Sequence, residues 1–130
     1  MTATPVHALI VEDEESILLS LEFLLKQEGY SVATAQDGAA ALQAAAVQAP
    51  DLVLLDVMLP HIDGFEVCRQ MRANPLLKNT RIMMVTARGR DSEVEHGLAL
   101  GADAFLTKPF STRELMEKIR TLLAADRTAD

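Results

Sequence analysis

The strongest constraint on this chain is an alternation. Short apolar runs that end in polar residues give way, repeatedly, to stretches with helical spacing. Val6 to Val11 is mostly apolar and rich in β-branched residues, and it ends in the acidic cluster Glu12-Asp13-Glu14-Glu15. Such a run reads as a strand buried on both faces, as in a parallel sheet. From Ser16 the period changes: Ile17, Leu18, Leu21, Leu24 and Leu25 share one helical face, and Gly29 marks the helix end. Ser31 to Ala35 is a weak second strand, followed by an Asp37-Gly38 turn and an alanine-rich helix to about Ala49. Asp51 to Asp56 repeats the first pattern, with apolar Leu52 to Leu55 and then a carboxylate. Leu59 to Gly64 reads as a loop punctuated by Pro60 and Asp63-Gly64.

In the second half, Phe65, Cys68 and Met71 line one face of a helix that ends near Asn74-Pro75. Arg81 to Thr86 is a fourth strand. Asp91 or Ser92 can cap a helix running to Leu100, with Gly101 at its C-terminal end. Ala104 to Thr107 is a short fifth strand. Ser111 and Glu114 form a capping box for a last helix striped by Leu115, Ile119, Leu122 and Leu123. Five strands alternating with five helices require right-handed crossovers and a parallel sheet covered on both faces. The predicted fold is therefore α/β and doubly wound, and the order taken for its five strands is 2-1-3-4-5, one of the common doubly wound orders. Residues 5–125 read as one domain and 126–130 as a flexible tail or the stub of a linker.

At 130 residues the chain suits a single core, and 49% hydrophobic residues are enough to fill it. Acidic residues outnumber basic ones, 19 to 12, giving a net charge of −7. That balance argues against direct nucleic-acid binding, which needs a basic face to displace counterions, and against an anionic membrane surface. One cysteine, Cys68, allows no intrachain disulfide. No apolar stretch is long enough to span a bilayer, and Met1 to His7 carries no secretion signal, so the cytoplasm is the default address.

Open parallel sheets bind ligands at the carboxyl ends of their strands, where the strand order reverses. Here those ends carry Glu12 and Asp13 on the first strand, Asp56 on the third, Thr86 on the fourth and Lys108 after the fifth. Three neighbouring carboxylates repel one another unless something positive compensates. Mg²⁺, a hard dication with oxygen ligands, does so well. A carboxylate beside such an ion can act as a nucleophile toward phosphorus and form an acyl phosphate.

At these residues the chain resembles the receiver domain of two-component response regulators, a CheY-like, flavodoxin-like family. The resemblance runs from about Val6 to Leu123. It is carried by Glu12-Asp13, the strand ending Leu55-Asp56, Pro60-His61-Ile62-Asp63-Gly64, Thr86-Ala87, Gly101-Ala102-Asp103-Ala104 and Lys108-Pro109-Phe110. It implies that Asp56 accepts a phosphoryl group from a histidine kinase or histidine phosphotransfer protein. It implies Mg²⁺, replaceable by Mn²⁺, on Asp13 and Asp56 directly, on Glu12 through water and on the Met58 backbone carbonyl. Thr86 and Lys108 would hold phosphoryl oxygens, the Lys108–Pro109 bond would be cis, and Phe105 would be the rotating aromatic that follows Thr86. The output would be a reshaped surface of the fourth helix, fifth strand and fifth helix, read by a partner or fused output domain. A homodimer through that surface is a further expectation. The domain would catalyse only its own phosphoryl transfer and dephosphorylation.

Three positions depart from the family's common pattern. Glu12 stands where Asp is also common, Phe105 lacks the hydroxyl of the tyrosine often found there, and Met58 offers no polar side chain to an attacking water. Two other functions use the same residues: a phosphorylation-independent scaffold, and a Mg²⁺-dependent phosphatase with an aspartyl-phosphate intermediate. His61 and His96 have no partner cluster and read as ordinary residues. Cys68, Met71, Met83 and Met84 read as core. Asp91 to Glu95 reads as a solvated helix start, and Arg113, Glu117, Lys118 and Arg120 as a solvated face.

Overall fold

A computed structural model describes residues 5–87 and 91–124. The strands are β1 (His7–Val11), β2 (Ser31–Ala35), β3 (Leu52–Asp56), β4 (Arg81–Thr86) and β5 (Ala104–Thr107). The helices are α1 (Glu15–Gln27), α2 (Gly38–Val47), α3 (Gly64–Ala73), α4 (Asp91–Ala99) and α5 (Thr112–Ala124), with a 3₁₀ turn at Pro75–Leu77. The five strands form one sheet in the order β2-β1-β3-β4-β5, and every pairing is parallel. The strand order is the expected 2-1-3-4-5.

Successive strand side chains point to opposite faces, so each central strand feeds two cores. Ala8, Ile10, Leu52, Leu54, Met83 and Leu106 pack with α1 and α5, through Leu18, Leu21, Leu25, Leu115 and Ile119. Leu9, Val11, Val53, Leu55, Ile82 and Met84 pack on the other face against α2 and α3, through Ala41, Ala45, Val67, Cys68 and Met71. Cys68, Met71, Met83 and Met84, expected in the core, are all buried, and Met116 joins them. Among the described residues, no helix is long and apolar enough to cross a membrane.

Helix ends follow local chemistry. Asp63 accepts from Glu66 N at 3.0 Å, and Asp37 accepts from Ala40 N at 2.8 Å. Both aspartates are thus N-caps, and the following Gly38 and Gly64 are the first helical residues rather than parts of a turn or loop. The Ser111–Glu114 capping box forms in both directions, at 3.0 and 3.3 Å. Gly29 and Gly101 take positive φ at the ends of α1 and α4. The expected Asp91 or Ser92 cap side chains, and residues 125–130 with the expected tail, lie outside the described residues.

Arg72, at the end of α3, ties the far edge of the fold together. Its guanidinium donates to Gly101 O at 2.8 Å, Leu77 O at 2.9 Å, Thr80 O at 2.6 Å and Asp103 Oδ2 at 2.6 Å.

Candidate functional site

Parallel pairing in register brings the strand ends to one rim. Val11 lies opposite Leu55, and Asp56 lies opposite Val85. Glu12 and Asp13, just past β1, therefore face Asp56 at the end of β3. One ligand oxygen from each of Glu12, Asp13 and Asp56 lies within 4.8 Å of the others. Glu12 and Asp56 are buried, whereas Asp13 is exposed.

Lys108 enters this acid cluster from the loop after β5. Its Nζ donates to Glu12 Oε1 at 3.0 Å and to Asp56 Oδ2 at 3.3 Å. Lys108 N donates to Thr86 O at 2.7 Å, which prolongs the β4–β5 ladder, and the Lys108–Pro109 peptide bond is cis. Met58 N donates to Asp56 Oδ1 at 3.1 Å, fixing the second carboxylate oxygen, while the Met58 side chain is largely exposed.

The electrostatics follow from that geometry. Burial pushes the Glu12 carboxyl above the ordinary glutamate range; the Glu14 backbone N–H and Lys108 oppose this, and the Asp56 charge adds to it. For Lys108, burial disfavours the ammonium. The hydrogen bond to Glu12 and the negative charges of Asp56 and Glu12 outweigh it and raise the group above the ordinary lysine range. The lysine is thus a fixed cation between two buried carboxylates. Three hard oxygen donors with one ammonium leave a net negative cluster, a donor set that suits a divalent cation with a preference for oxygen.

Thr86 is buried one residue beyond the partner of Asp56 on β4. Beside it opens a cleft of about 360 Å³ lined by Val57, Met58, Thr86, Ala87 and Glu93. Phe105, on β5 opposite Met84, packs at the edge of the α2–α3 core.

The family model described as the response regulator receiver domain matches residues 8–120. This chain belongs to that family.

The receiver domain is 47% identical over 115 residues to the alkaline phosphatase synthesis transcriptional regulatory protein PhoP of Bacillus subtilis, covering 88% of this chain and 47% of that protein. It therefore spans about half the length of the full-length relatives it matches. Among solved structures it is similar to the chemotaxis response regulator CheY4 of Vibrio cholerae, with a TM-score of 0.88 and 33% identity over 92% of this chain and 99% of that one. It is also similar to the receiver domain of a Pseudomonas aeruginosa sensor histidine kinase, with a TM-score of 0.85, 30% identity, and coverage of 94% and 100%. That structure holds a magnesium ion coordinated in its active-site cleft.

Glu12, Asp13, Asp56 and Lys108 are brought together, with Met58 supplying a backbone contact. Thr86 flanks them, and Phe105 stands away from the acid cluster against α4. His61 sits exposed in the β3–α3 loop at φ 69°, and His96 packs edge-on to Phe65 at 4.6 Å; neither joins the site. Glu93 departs from the solvated helix start expected of Asp91 to Glu95, since its Oε1 is buried and has no hydrogen-bond partner among the described residues. The expected solvated face on α5 is exposed, and its charges find partners at the surface: Arg113 with Glu117 at 2.9 Å, Arg120 with Glu28 at 3.1 Å, and Lys118 with Phe105 O at 2.8 Å.

Gly64 reads in the sequence as loop punctuation, a reading that misses its close approach to the acceptor. Its N–H donates to Val57 O at 2.9 Å, and a Cβ there would stand 2.3 Å from Asp56 O. The available signal was a glycine placed directly after a capping aspartate, eight residues past the acceptor.

Proposed function

We propose that this receiver domain is a phosphorylation-activated switch whose acceptor is Asp56. The observation that carries this reading is the Lys108 ammonium held between the buried Glu12 and Asp56 carboxylates, with Asp13 beside them. A nucleophilic carboxylate is thereby aligned next to a fixed positive charge at the open rim of the sheet. An Asp56 oxygen attacks the phosphorus of a phosphohistidine on a kinase or phosphotransfer protein. The P–N bond breaks, the imidazole departs with its electron pair and takes a proton, and an acyl phosphate remains on Asp56.

Glu12, Asp13 and Asp56, with the Met58 carbonyl, would hold Mg²⁺, or Mn²⁺ in its place. When bound, the dication supplies neutralisation of the charge gathered on the phosphoryl oxygens. Lys108 neutralises a further phosphoryl oxygen. The Thr86 hydroxyl hydrogen-bonds another, and its shift makes room for Phe105 to turn. The surface of α4, β5 and α5 changes as a shift between two packings, read by a downstream protein or output domain. Turnover is confined to the domain's own acyl phosphate. The functional unit is residues 5–125, acting in the cytoplasm without contacting nucleic acid or membrane itself, with self-association through α4, β5 and α5 as a second consequence of the shift.

Intact mass after incubation with a small phosphoryl donor tests the reading. The expected result is a single-phosphate adduct that depends on Mg²⁺, is removed by hydroxylamine, and is absent from Asp56→Asn. An adduct that persists on Asp56→Asn overturns the assignment.

A further inference from the structure

Phe105 lies across α4 at a position where that helix presents no side chain. A Cβ on Gly97 would stand 2.3 Å from Phe105 Cζ and 2.8 Å from Cε1, with Met84 Sδ at 3.2 Å. Phe105 and Met84 are register partners on β5 and β4, so two strands converge on this spot of the helix. The obstructing atoms are the far ends of side chains, so an added methyl displaces the ring rather than the main chain. Gly97 lies inside α4, where glycine is intrinsically worse than alanine. The local penalty is offset by a tertiary contact that only a missing side chain permits.

We propose that Gly97 is the positioning residue for Phe105: its bare backbone is the seat on which the ring rests, and it couples β5 to α4. The inference rests on the reading above, in which phosphorylation of Asp56 repositions Phe105 and α4. Where two packings are in equilibrium, a group that excludes one of them shifts the population. By linkage, it then alters the affinity for any ligand that distinguishes the two packings. A methyl at position 97 cannot coexist with the ring in its seat, so it must alter the response at Asp56, although it touches none of the acid cluster.

The experiment places 4-fluorophenylalanine at position 105 and follows its ¹⁹F resonance during titration with the phosphoryl analogue beryllofluoride in Mg²⁺. The expected result is that Gly97→Ala moves the resonance before any analogue is added and shifts the titration midpoint by at least about threefold. Calorimetric titrations of Phe105→Leu with and without Gly97→Ala complete the cycle, and there the effect of Gly97→Ala falls away. An unmoved resonance with an unchanged midpoint overturns the inference. So does a Gly97→Ala effect that persists in Phe105→Leu, since that is what better helix propensity alone would produce. Should Gly97→Ala fail to fold, recovery of folding by adding Phe105→Leu is the expected result, and no recovery overturns it. A wild-type protein that takes up no beryllofluoride overturns the proposed function instead.

Discussion

Replacing Gly64 with alanine offers a sharp test of how the acceptor is held. The glycine is not needed for an unusual backbone angle, since its φ is not among the positive ones. It is needed for a close approach. A Cβ at position 64 would stand 2.3 Å from Asp56 O, 2.8 Å from Val57 Cα and 3.0 Å from Asp56 C. All three are backbone atoms at the end of a central strand, so none can swing aside. Restoring ordinary contact requires roughly 1 Å of separation between α3 and the end of β3, and overpacking of that kind costs about 3 kcal/mol. Stretching the Gly64–Val57 hydrogen bond adds about 1 kcal/mol. Against a total stability of about 5–15 kcal/mol, the melting temperature should fall by roughly 10–15 °C. The same displacement moves Asp56 itself, and misplacing a reacting group by about 1 Å can reduce rate by about 100-fold. Thermal and urea melts followed by circular dichroism, with the rate of adduct formation, check both parts. A Gly64→Ala protein that melts within about 3 °C of wild type and is phosphorylated at the same rate refutes the reasoning.

Two further outcomes follow from the partly buried charges of Lys108 and Arg72. Lys108→Met leaves Glu12 and Asp56 buried without their ammonium. With the lysine side chain 24% exposed, the loss should be about 1–3 kcal/mol in metal-free urea unfolding, partly restored by adding Glu12→Gln, and unchanged stability would refute it. Arg72→Lys replaces a planar fork that serves four acceptors with a single ammonium, which leaves the carbonyl of Thr80 or Gly101 without its guanidinium donor. Urea unfolding should show a loss of about 2–4 kcal/mol, and a loss under about 0.5 kcal/mol would refute it.

Much of this fold is legible because its signals are local. The runs Arg81–Thr86 and Ala104–Thr107 match β4 and β5 residue for residue. The Ser111–Glu114 box is a three-residue code that needs nothing distant. Glu12, Asp13, Asp56 and Lys108 could be placed together because strand ends in a parallel sheet share one rim. What stayed hidden depends on contacts across the chain. The roles of Gly64 and Gly97 come from the approach of Asp56 and Phe105, which no spacing rule encodes. The Pro75–Leu77 turn reads as the end of a helix until Asn74 is seen capping it, with Oδ1 accepting from Leu76 N at 3.0 Å. Glu93 belongs to an acidic stretch, and only the packing of α4 reveals that one of its oxygens is shielded from water.

The clasp around Arg72 also dictates how α4 can move. Gly101 and Asp103, immediately past the C-terminal end of that helix, are held by a guanidinium that simultaneously grips Leu77 and Thr80. The clasp is a fulcrum. At about 1.5 Å per residue, Gly97 lies roughly 6 Å from it and Asp91 roughly 15 Å. A tilt of about 10° then carries the start of α4 through roughly 2.6 Å but displaces Gly97 by only about 1 Å. In the proposed switch the helix would be a lever with its short arm against Phe105, so that a displacement of about 1 Å at Gly97 becomes roughly 2.6 Å at the opposite end.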